Sequence, residues 1–337
     1  MAALLGLTIL SFFINIILFV PFIDFLYRAK LRRQHQETRD MFNNLTPIFD
    51  KFHKIKVGTP VGGGILIIVL TCILTIWSYG MLNVPTKGWE LFVIFFSIIT
   101  FGGLGFLDDW KKLANPLKKN VFFGLRFRHK FIIQWILAFI IASVFYFQLG
   151  YSFVFIHGFG LVSIGALFIP FAAFIIVAYV NAVNITDGLD GLTSGLLVIC
   201  LVGFLAINSQ QIDKSLGVFI SILLGSVMAF LYFNIYKARI WLGDVGALAL
   251  GASLAVIGLL TGKTLTLAVI GGVFIVEIAS SLIQILSKKY LKRKLFPAAP
   301  FHLLLQHRGW EEPKIVMRAW LVGILFAVLG VYLAFLS

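Results

Sequence analysis

The sequence predicts an all-α, polytopic integral membrane protein of about ten transmembrane helices, and three observations carry that prediction. Of 337 residues, 60% are hydrophobic and only 12% are charged, whereas a soluble domain holds about 25% charged residues. Ten apolar runs approach or reach the roughly 17–25 residues that cross a bilayer as a helix. The basic residues gather on alternate loops between those runs, the asymmetry expected of a membrane topology.

The runs lie near 3–27, 61–82, 89–107, 131–149, 161–180, 192–207, 216–233, 246–261, 265–287 and 316–336. The first lacks a basic leader and a small-residue cleavage site, so it reads as a retained span and not as a signal peptide. Cys72 and Cys200 both fall inside apolar runs and read as reduced packing residues, without disulfide or metal-ligand spacing. Loops are short except at 28–60, 108–130 and 288–315, and no linker or internal repeat divides the chain. One transmembrane domain over residues 1–337 follows.

Of the 28 lysines and arginines, 25 lie in or beside the loops 28–60, 108–130, 234–245 and 288–315. The other three, Lys87, Lys214 and Lys263, fall one each in loops of the opposite side. Both termini are therefore expected outside, with the loops 28–60, 108–130, 181–191, 234–245 and 288–315 in the cytoplasm. The net charge of +14 is then mostly topology. No nucleic-acid motif accompanies it, which excludes nucleic acid as the partner. The same charge still attracts anionic head groups and anionic soluble substrates.

Five of the fourteen acidic residues mark one face of this bundle. The stretch NAVNITDGLDGL, 181–192, joins two apolar runs and places Asp187 and Asp190 where one span ends and the next begins. A helix starting near Asp187 would set both on its first turn, where free N–H groups attract anions. A capping aspartate explains one of them but leaves the second, with Asn181 and Asn184, for a functional site. GFLDDWKKL, 105–113, puts Asp108 and Asp109 at the cytoplasmic end of the third span, where the helix dipole disfavours negative charge. Lys111 and Lys112 offer ion pairing, but carboxylates at a membrane edge call for a counter-ion or metal. Consecutive helical residues point in different directions, so the two need not share a role.

Other segments are less decisive alone. HKIKVGTPVGGG, 53–64, sets Lys54 and Lys56 before a glycine cluster that permits tight helix packing or close approach of a ligand. KKNVFFGLRFRHK, 118–130, interleaves basic residues with Phe122, Phe123 and Phe127, as suits a loop on the membrane interface. Asp244 opens the eighth span between Gly243 and Gly246, with Trp241 three residues earlier. Asp244 is placed to cap a helix or bind a cation, and Trp241 to anchor at the interface or stack on a base. Glu277 and Gln284, seven apart in the ninth span, mark a functional face or a helix–helix hydrogen bond. The last loop carries His302 and His307, positions at which histidine is ordinarily polar surface.

Together Asp108, Asp109, Asp187, Asp190 and Asp244 come from three loops to one face at membrane depth. Aspartates without cysteine argue for a hard cation. Mg²⁺ takes one or two carboxylates and completes its shell with water and substrate phosphates. The chemistry expected is Mg²⁺-assisted phosphoryl transfer between a cytosolic anionic donor and a membrane lipid.

NAVNITDGLDGL, GFLDDWKK, KVGTPVGGG, FNIYKARIWLGDVGALALG and the tail GWEEPKIVMRAW resemble, in order along nearly the whole chain, the phospho-N-acetylmuramoyl-pentapeptide transferases. These belong to the polyprenyl-phosphate N-acetylhexosamine-1-phosphate transferase superfamily. The resemblance implies ten spans and transfer of phospho-MurNAc-pentapeptide from its UDP carrier to undecaprenyl phosphate, giving lipid I and UMP. It implies Asp244 as the Mg²⁺ ligand, with Asp187 a second candidate, and Asp108 and Asp109 as the pair at the lipid phosphate, Asp108 accepting its proton. Asp187, Asp190 and Asn184 resemble nucleotide-site residues, and Asp187 and His302 join the catalytic candidates. Trp241 stands where a phenylalanine stacks on uracil, a change that preserves stacking. Lys56, Thr59, Lys130, Asn181, Asn234 and Gln284 match further substrate-binding positions. The implied partners are undecaprenyl phosphate, UDP-linked muramoyl-pentapeptide, the bilayer of a bacterial inner membrane and, as an alternative to a monomer, a second copy of the chain in a homodimer.

One departure bears on the donor. The family carries three successive histidines after Pro-Ile, whereas Pro300, Phe301, His302, Leu303 and Leu304 keep only the first. Because the later histidines go with recognising the nucleotide-sugar, a UDP-GlcNAc-dependent transferase stands as the alternative, while the GWEEPK tail favours the muramoyl branch. A transporter of anionic lipid or nucleotide-sugar is the reading from another class, but transporters place their polar groups near the midplane. An inactive scaffold has only the altered histidine segment behind it. On mechanism, a phosphate monoester with its second pKa near about 6 is mostly dianionic at pH 7, so direct attack is preferred to a phospho-enzyme on an aspartate.

Overall fold

An apolar run inside a bilayer has no water to satisfy its backbone and must close its hydrogen bonds along itself, as a helix. The computed structural model, which describes residues 1–32, 50, 56–114, 125, 127–156, 159–211 and 213–336, follows that constraint. Its elements are α1 (Ala2–Arg28), α2 (Gly63–Met81), α3 (Gly88–Ala114), α4 (Phe127–Phe147), β1 (Phe153–Ile156), β2 (Gly160–Ser163), α5 (Phe168–Thr186), α6 (Leu192–Gln211), α7 (Lys214–Asn234), α8 (Gly243–Leu260), α9 (Thr264–Ile270), α10 (Gly272–Leu286), α11 (Phe301–His307) and α12 (Glu312–Phe335). Among the described residues nine helices are long and apolar enough to cross a membrane, and ten if the bent pair α9–α10 is one span. The all-α polytopic expectation holds.

Burial sorts the helices into an inner pair and a surrounding ring. α7 and α8 are 83% buried over their most apolar windows, against 28% for α1, α4 and α12. α8 packs on α2, α3 and α5, while α7 packs on α1, α2 and α6. Phe19, Phe101, Phe145, Phe204, Phe219 and Phe230 fill the space between them. Contacts this close require glycine: a Cβ on Gly64 would lie 2.2 Å from the Cα of Gly246, and one on Gly105 would lie 2.2 Å from the Asp244 carbonyl oxygen. The glycine cluster at the start of α2 therefore serves helix packing. Its N–H groups are also taken, Gly62 and Gly63 donating to the Trp241 carbonyl at 3.2 and 2.9 Å and Gly64 to that of Leu242 at 3.0 Å.

Four boundaries depart from the expected spans, each for a local reason. The run expected as a helix from 161 begins instead as the hairpin β1–β2, antiparallel with Val154 opposite Val162. The backbone N–H groups of Ile164 and Gly165 then turn onto the Ser152 carbonyl at 2.9 and 3.0 Å, so α5 starts only at Phe168. Tyr151 ties this corner to α8 by donating to the Leu260 carbonyl at 2.8 Å, and burial pushes its phenol up to about 12, which keeps it a donor. α3 runs past the expected end at 107 to Ala114, so Asp108 and Asp109 lie inside the helix and Lys111 and Lys112 occupy its last turn. The turn expected to open a helix near Asp187 does not: Asp187 closes α5, and α6 begins at Leu192. The ninth span is broken, with α10 leaving α9 at 79° beside Gly271, where a Cβ would lie 2.5 Å from the Tyr179 hydroxyl. Lys51, Lys54, Lys118, Lys119, Phe122 and Phe123 lie outside the described residues, as does the side chain of Phe127.

The packing of α2 on α8 generates a stability prediction. Gly64→Ala should lower the thermal midpoint of the detergent-solubilised protein, in line with the roughly 1–3 kcal/mol that overpacking costs. Gly80→Ala, with open space around it, should leave the midpoint within a degree or so of wild type in the same thermal-shift measurement.

Candidate active site

The extension of α3 carries Asp108, Asp109 and Lys112 through consecutive helical positions, so that Asp108 and Lys112 share a face. Asp108 is buried at 3% exposure. Its Oδ1 accepts the Leu125 backbone N–H at 2.6 Å, and its Oδ2 lies 2.9 Å from Lys112 Nζ and 3.0 Å from Lys130 Nζ. Asp244, in the first turn of α8, brings a second carboxylate to the same two ammonium groups. Its Oδ2 lies 2.9 Å from Lys112 Nζ and also pairs with Lys130, while its Oδ1 accepts Asn184 Nδ2 at 3.2 Å. Asp109 turns elsewhere and accepts the Val245 N–H at 3.0 Å. There it offsets the positive end of α8, and Gly243, at φ +77, leaves room, since a Cβ would stand 2.7 Å from its Oδ2. The neighbouring aspartates thus differ in their hydrogen bonds, as their helical directions require, and share Lys112, whose Nζ lies 3.9 Å from Asp109 Oδ1.

A second cluster forms where the α5–α6 turn meets α12. Lys56 is buried with its Nζ 3.0 Å from Asp190 Oδ1, against Glu312 Oε1, and 4.9 Å from the centroid of the Trp241 ring. Asp190 also accepts the Ala238 N–H at 3.0 Å through Oδ2. The turn owes its shape to Gly191, at φ +80, a conformation that favours glycine. Its N–H donates to Asn234 Oδ1 at 3.1 Å, and its carbonyl accepts the Trp320 indole N–H at 3.1 Å. Asn234 further accepts the Ser194 hydroxyl at 2.8 Å and donates to the Ile240 carbonyl at 3.0 Å. Trp241 is buried, and its backbone N–H donates to the Pro60 carbonyl at 2.9 Å. Thr59 stands half-buried in the turn that follows Lys56.

His302 links the broken span to that turn. It is buried on α11, and its Nδ1 lies 3.0 Å from Glu277 Oε2, while its backbone N–H donates to Glu277 Oε1 at 3.2 Å. The opposite ring edge faces the turn, where a Cβ on Gly188 would fall 2.4 Å from Nε2. The expectation of a surface loop histidine gives way to a buried helical one, held from both sides.

The sequence-predicted residues therefore separate. Asp108, Asp244, Lys130 and Asn184 converge, and Asp109 borders them. Lys56, Asp190, Trp241 and Asn234 gather around the turn that Asp187 begins, with Asp187 half-buried at the end of α5. Gln284 turns away to hold the last loop, donating to the Phe296 carbonyl at 2.7 Å and accepting the Leu295 and Phe296 N–H groups. Asn181 pairs with buried Gln134 at 2.8 Å. Sequence reasoning passed over Gln134 and Glu312 and gave Lys112 only a neutralising role. Spacing four residues after Asp108 was the available signal for Lys112; nothing local marks Gln134.

Two carboxylate oxygens from different helices, Asp108 Oδ2 and Asp244 Oδ2, meet on shared cationic groups. An all-oxygen donor set of this kind suits a hard divalent cation that keeps water and phosphate in its remaining positions. Among the described residues no group of three or more acidic, histidine or cysteine side chains is arranged to hold a metal ion.

The model of glycosyl transferase family 4 matches residues 91–262, the part of the chain that holds Asp108, Asp109, Asp187, Asp190 and Asp244. A phospho-N-acetylmuramoyl-pentapeptide-transferase of Geobacillus thermodenitrificans is 37% identical over 326 residues, covering 96% of this chain and 95% of the relative. One from Oceanobacillus iheyensis is 36% identical over 341 residues, covering 99% and 98%. One from Bacillus subtilis is 33% identical over 326 residues, covering 96% of each chain.

The role of Asn234 gives the prediction here. Asn234→Ala strips partners from the Gly191 N–H, the Ser194 hydroxyl and the Ile240 carbonyl at once. With about 1–3 kcal/mol for a buried polar group left unpaired, the thermal midpoint should fall by several degrees. Hydrogen–deuterium exchange should quicken at residues 188–192 while the Asp108 cluster keeps its protection.

Proposed function

The chain belongs to glycosyl transferase family 4 and, within it, to the phospho-N-acetylmuramoyl-pentapeptide-transferases, and from that premise we propose how its residues carry out the transfer. It is a multi-pass membrane enzyme that moves phospho-N-acetylmuramoyl-pentapeptide from UDP-MurNAc-pentapeptide to undecaprenyl phosphate, giving lipid I and UMP. We place it in a bacterial inner membrane with both termini outside and the aspartate clusters at the cytoplasmic face. The alternative with UDP-GlcNAc as donor is not favoured by relatives of this identity and coverage.

The observation that carries the mechanism is the meeting of Asp108 and Asp244 on the Lys112 and Lys130 ammonium groups. The acceptor lipid presents a phosphate monoester, mostly dianionic at pH 7, to the first cluster. Lys112 and Lys130 orient its oxygens, and Asp108, held by the Leu125 N–H, takes a residual proton on Oδ2. One acceptor oxygen bonds to the phosphorus that bears the sugar, and the bond from that phosphorus to the bridging oxygen of UMP breaks. Asp244, with Asp108 beside it and Asp187 as a further candidate, would hold Mg²⁺. When bound, the ion neutralises charge on the diphosphate and the departing UMP. Asp109 maintains the start of α8 and hence the aim of Asp244.

The second cluster serves the donor. Trp241, Asp187 and Asp190 are the uridine-side residues, with Asn184 contributing from the first cluster beside Asp244, and Glu277 directs His302 toward the same turn. Leu303 and Leu304 are both 5% exposed, so the two apolar replacements are packed inward and donor recognition falls on His302 alone in this segment. The outer face of α10 leaves Ile275, Val276, Leu282, Ile283 and Leu286 exposed, an apolar flank suited to an isoprenoid chain.

The test is UMP release by the purified protein with undecaprenyl phosphate and Mg²⁺. Release is expected with UDP-MurNAc-pentapeptide and not with UDP-GlcNAc. EDTA should abolish it, and Asp244→Asn should slow it by about 10²–10³-fold, the scale of losing a charge-stabilising group. Release with UDP-GlcNAc alone overturns the donor assignment, and a phosphorylated protein trapped with donor alone overturns direct attack.

A further inference from the structure

Glu312 has no part in the transfer described so far, yet it holds together the pieces that receive the donor. It lies in the first turn of α12, whose backbone there is set by Pro313. Trp310 just before it is covered by Arg318 and Lys314, with the Arg318 guanidinium carbon 4.6 Å and the Lys314 ammonium 5.3 Å from its ring centroid. From this anchored start the Glu312 side chain reaches into the protein. Its Oε1 accepts the Asp190 backbone N–H at 2.6 Å and pairs with Lys56 Nζ. Lys56, Asp190 and Glu312 are 7%, 5% and 10% exposed at their side chains. Asp190 in turn binds the Ala238 N–H, and Lys56 sits over Trp241. One carboxylate thus joins the segment leading to α2, the α5–α6 turn, the α7–α8 connection and α12.

Charge shows what the group is for. Asp190 alone would neutralise Lys56. Glu312 brings a second carboxylate to the same ammonium, more than neutralising Lys56 requires, so the trio is not built to attract a polyanionic nucleotide-sugar. Two buried carboxylates around one ammonium are tolerated where geometry, not attraction, is the return. The ammonium is then fixed by two charged partners, the Gly188 carbonyl at 3.4 Å and an aromatic face.

We propose that Glu312 is a positioning residue for the donor half of the site, acting through Lys56 and the Asp190 backbone to set affinity for the UDP-sugar. This rests on the transferase reading above. Glu312→Gln keeps an acceptor for the Asp190 N–H but removes the charge that holds Lys56. It should raise the KM for UDP-MurNAc-pentapeptide about tenfold, the scale of one charge-assisted hydrogen bond, with the KM for undecaprenyl phosphate within about twofold of wild type. Glu312→Asp, which restores the charge, should recover part of the loss. Independently of turnover, acylation of Lys56 by a small amine-reactive ester, read by peptide mass spectrometry, should be slow in wild type and several-fold faster in Glu312→Gln.

An unchanged donor KM in Glu312→Gln, unchanged Lys56 labelling, or both KM values rising together with a fall in the thermal midpoint would overturn the proposal. The last pattern marks Glu312 as a mere stabiliser of α12. A wild-type protein that turns over no donor but shows the labelling difference would instead sink the transferase reading while leaving the clamp on Lys56 intact.

Discussion

A carboxylate cannot be taken to the edge of a bilayer without a partner, and here two of them are taken there together. Asp108 and Asp244 come from two helices that pack closely on one another, and each is neutralised by the same two ammonium groups, those of Lys112 and Lys130. Much else in the bundle follows. α3 must continue beyond its apolar run so that Lys112 can fold back over Asp108. α8 must begin at depth, which it does with Asp109 on the Val245 N–H. Glycines at 64, 105 and 246 must lack side chains, because the backbones of α2, α3 and α8 run too close for a Cβ, and Gly243 must lack one to make room for the Asp109 carboxylate.

The polar residues of this face fall into two neighbouring clusters with different physics. The first is open to exchange: cationic side chains between converging carboxylates are groups that phosphate and a metal ion can rearrange. The second is closed, its buried lysine ringed by Asp190, Glu312, the Gly188 carbonyl and Trp241. Asn184 faces the first cluster from the end of α5, and the chain reaches the second only one turn later. In the proposed mechanism, acceptor and donor would be presented by adjoining surfaces at the end of α5, a geometry suited to transfer between two bound phosphates.

How much of this could be read in the sequence depended on the range of the interaction. Hydropathy is local, so the spans were legible, and so was the gathering of aspartates, because alternating topology fixes which loops share a face. Of the five aspartates expected on one face, Asp108 and Asp244 share cationic partners, while Asp190 belongs to a second cluster. What failed depended on backbone direction or distant partners. Apolar composition at 161–167 does not distinguish strand from helix, and the Ser152 carbonyl decided it. Gly191 reverses the chain and dislodges Asp187 and Asp190 from a helical first turn, a consequence of a positive φ that the letter G permits but does not demand. Glu277 and His302 are 25 residues apart, and Glu312 lies 256 residues from Lys56. No periodicity connects such pairs, so they looked like a span polarity, a loop histidine and part of a tail.

The break in the ninth span has a mechanical side. α9 contributes seven residues, a rise of about 10 Å against a hydrocarbon core of about 30 Å. With 79° between the two pieces, an upright α9 would leave α10 nearly flat and short of the far surface, so the tilt must be shared. The corner is pinned on one side, where the Tyr179 hydroxyl donates to the Leu267 carbonyl at 2.7 Å and the Gly271 N–H donates to the same carbonyl at 2.8 Å. The lower arm carries Glu277, which holds His302, and Gln284, which holds the backbone at 295–296. The two arms thus serve different neighbours, α9 packing on α8 and α12 while α10 supplies the side chains that hold α11 and the backbone at 295–296.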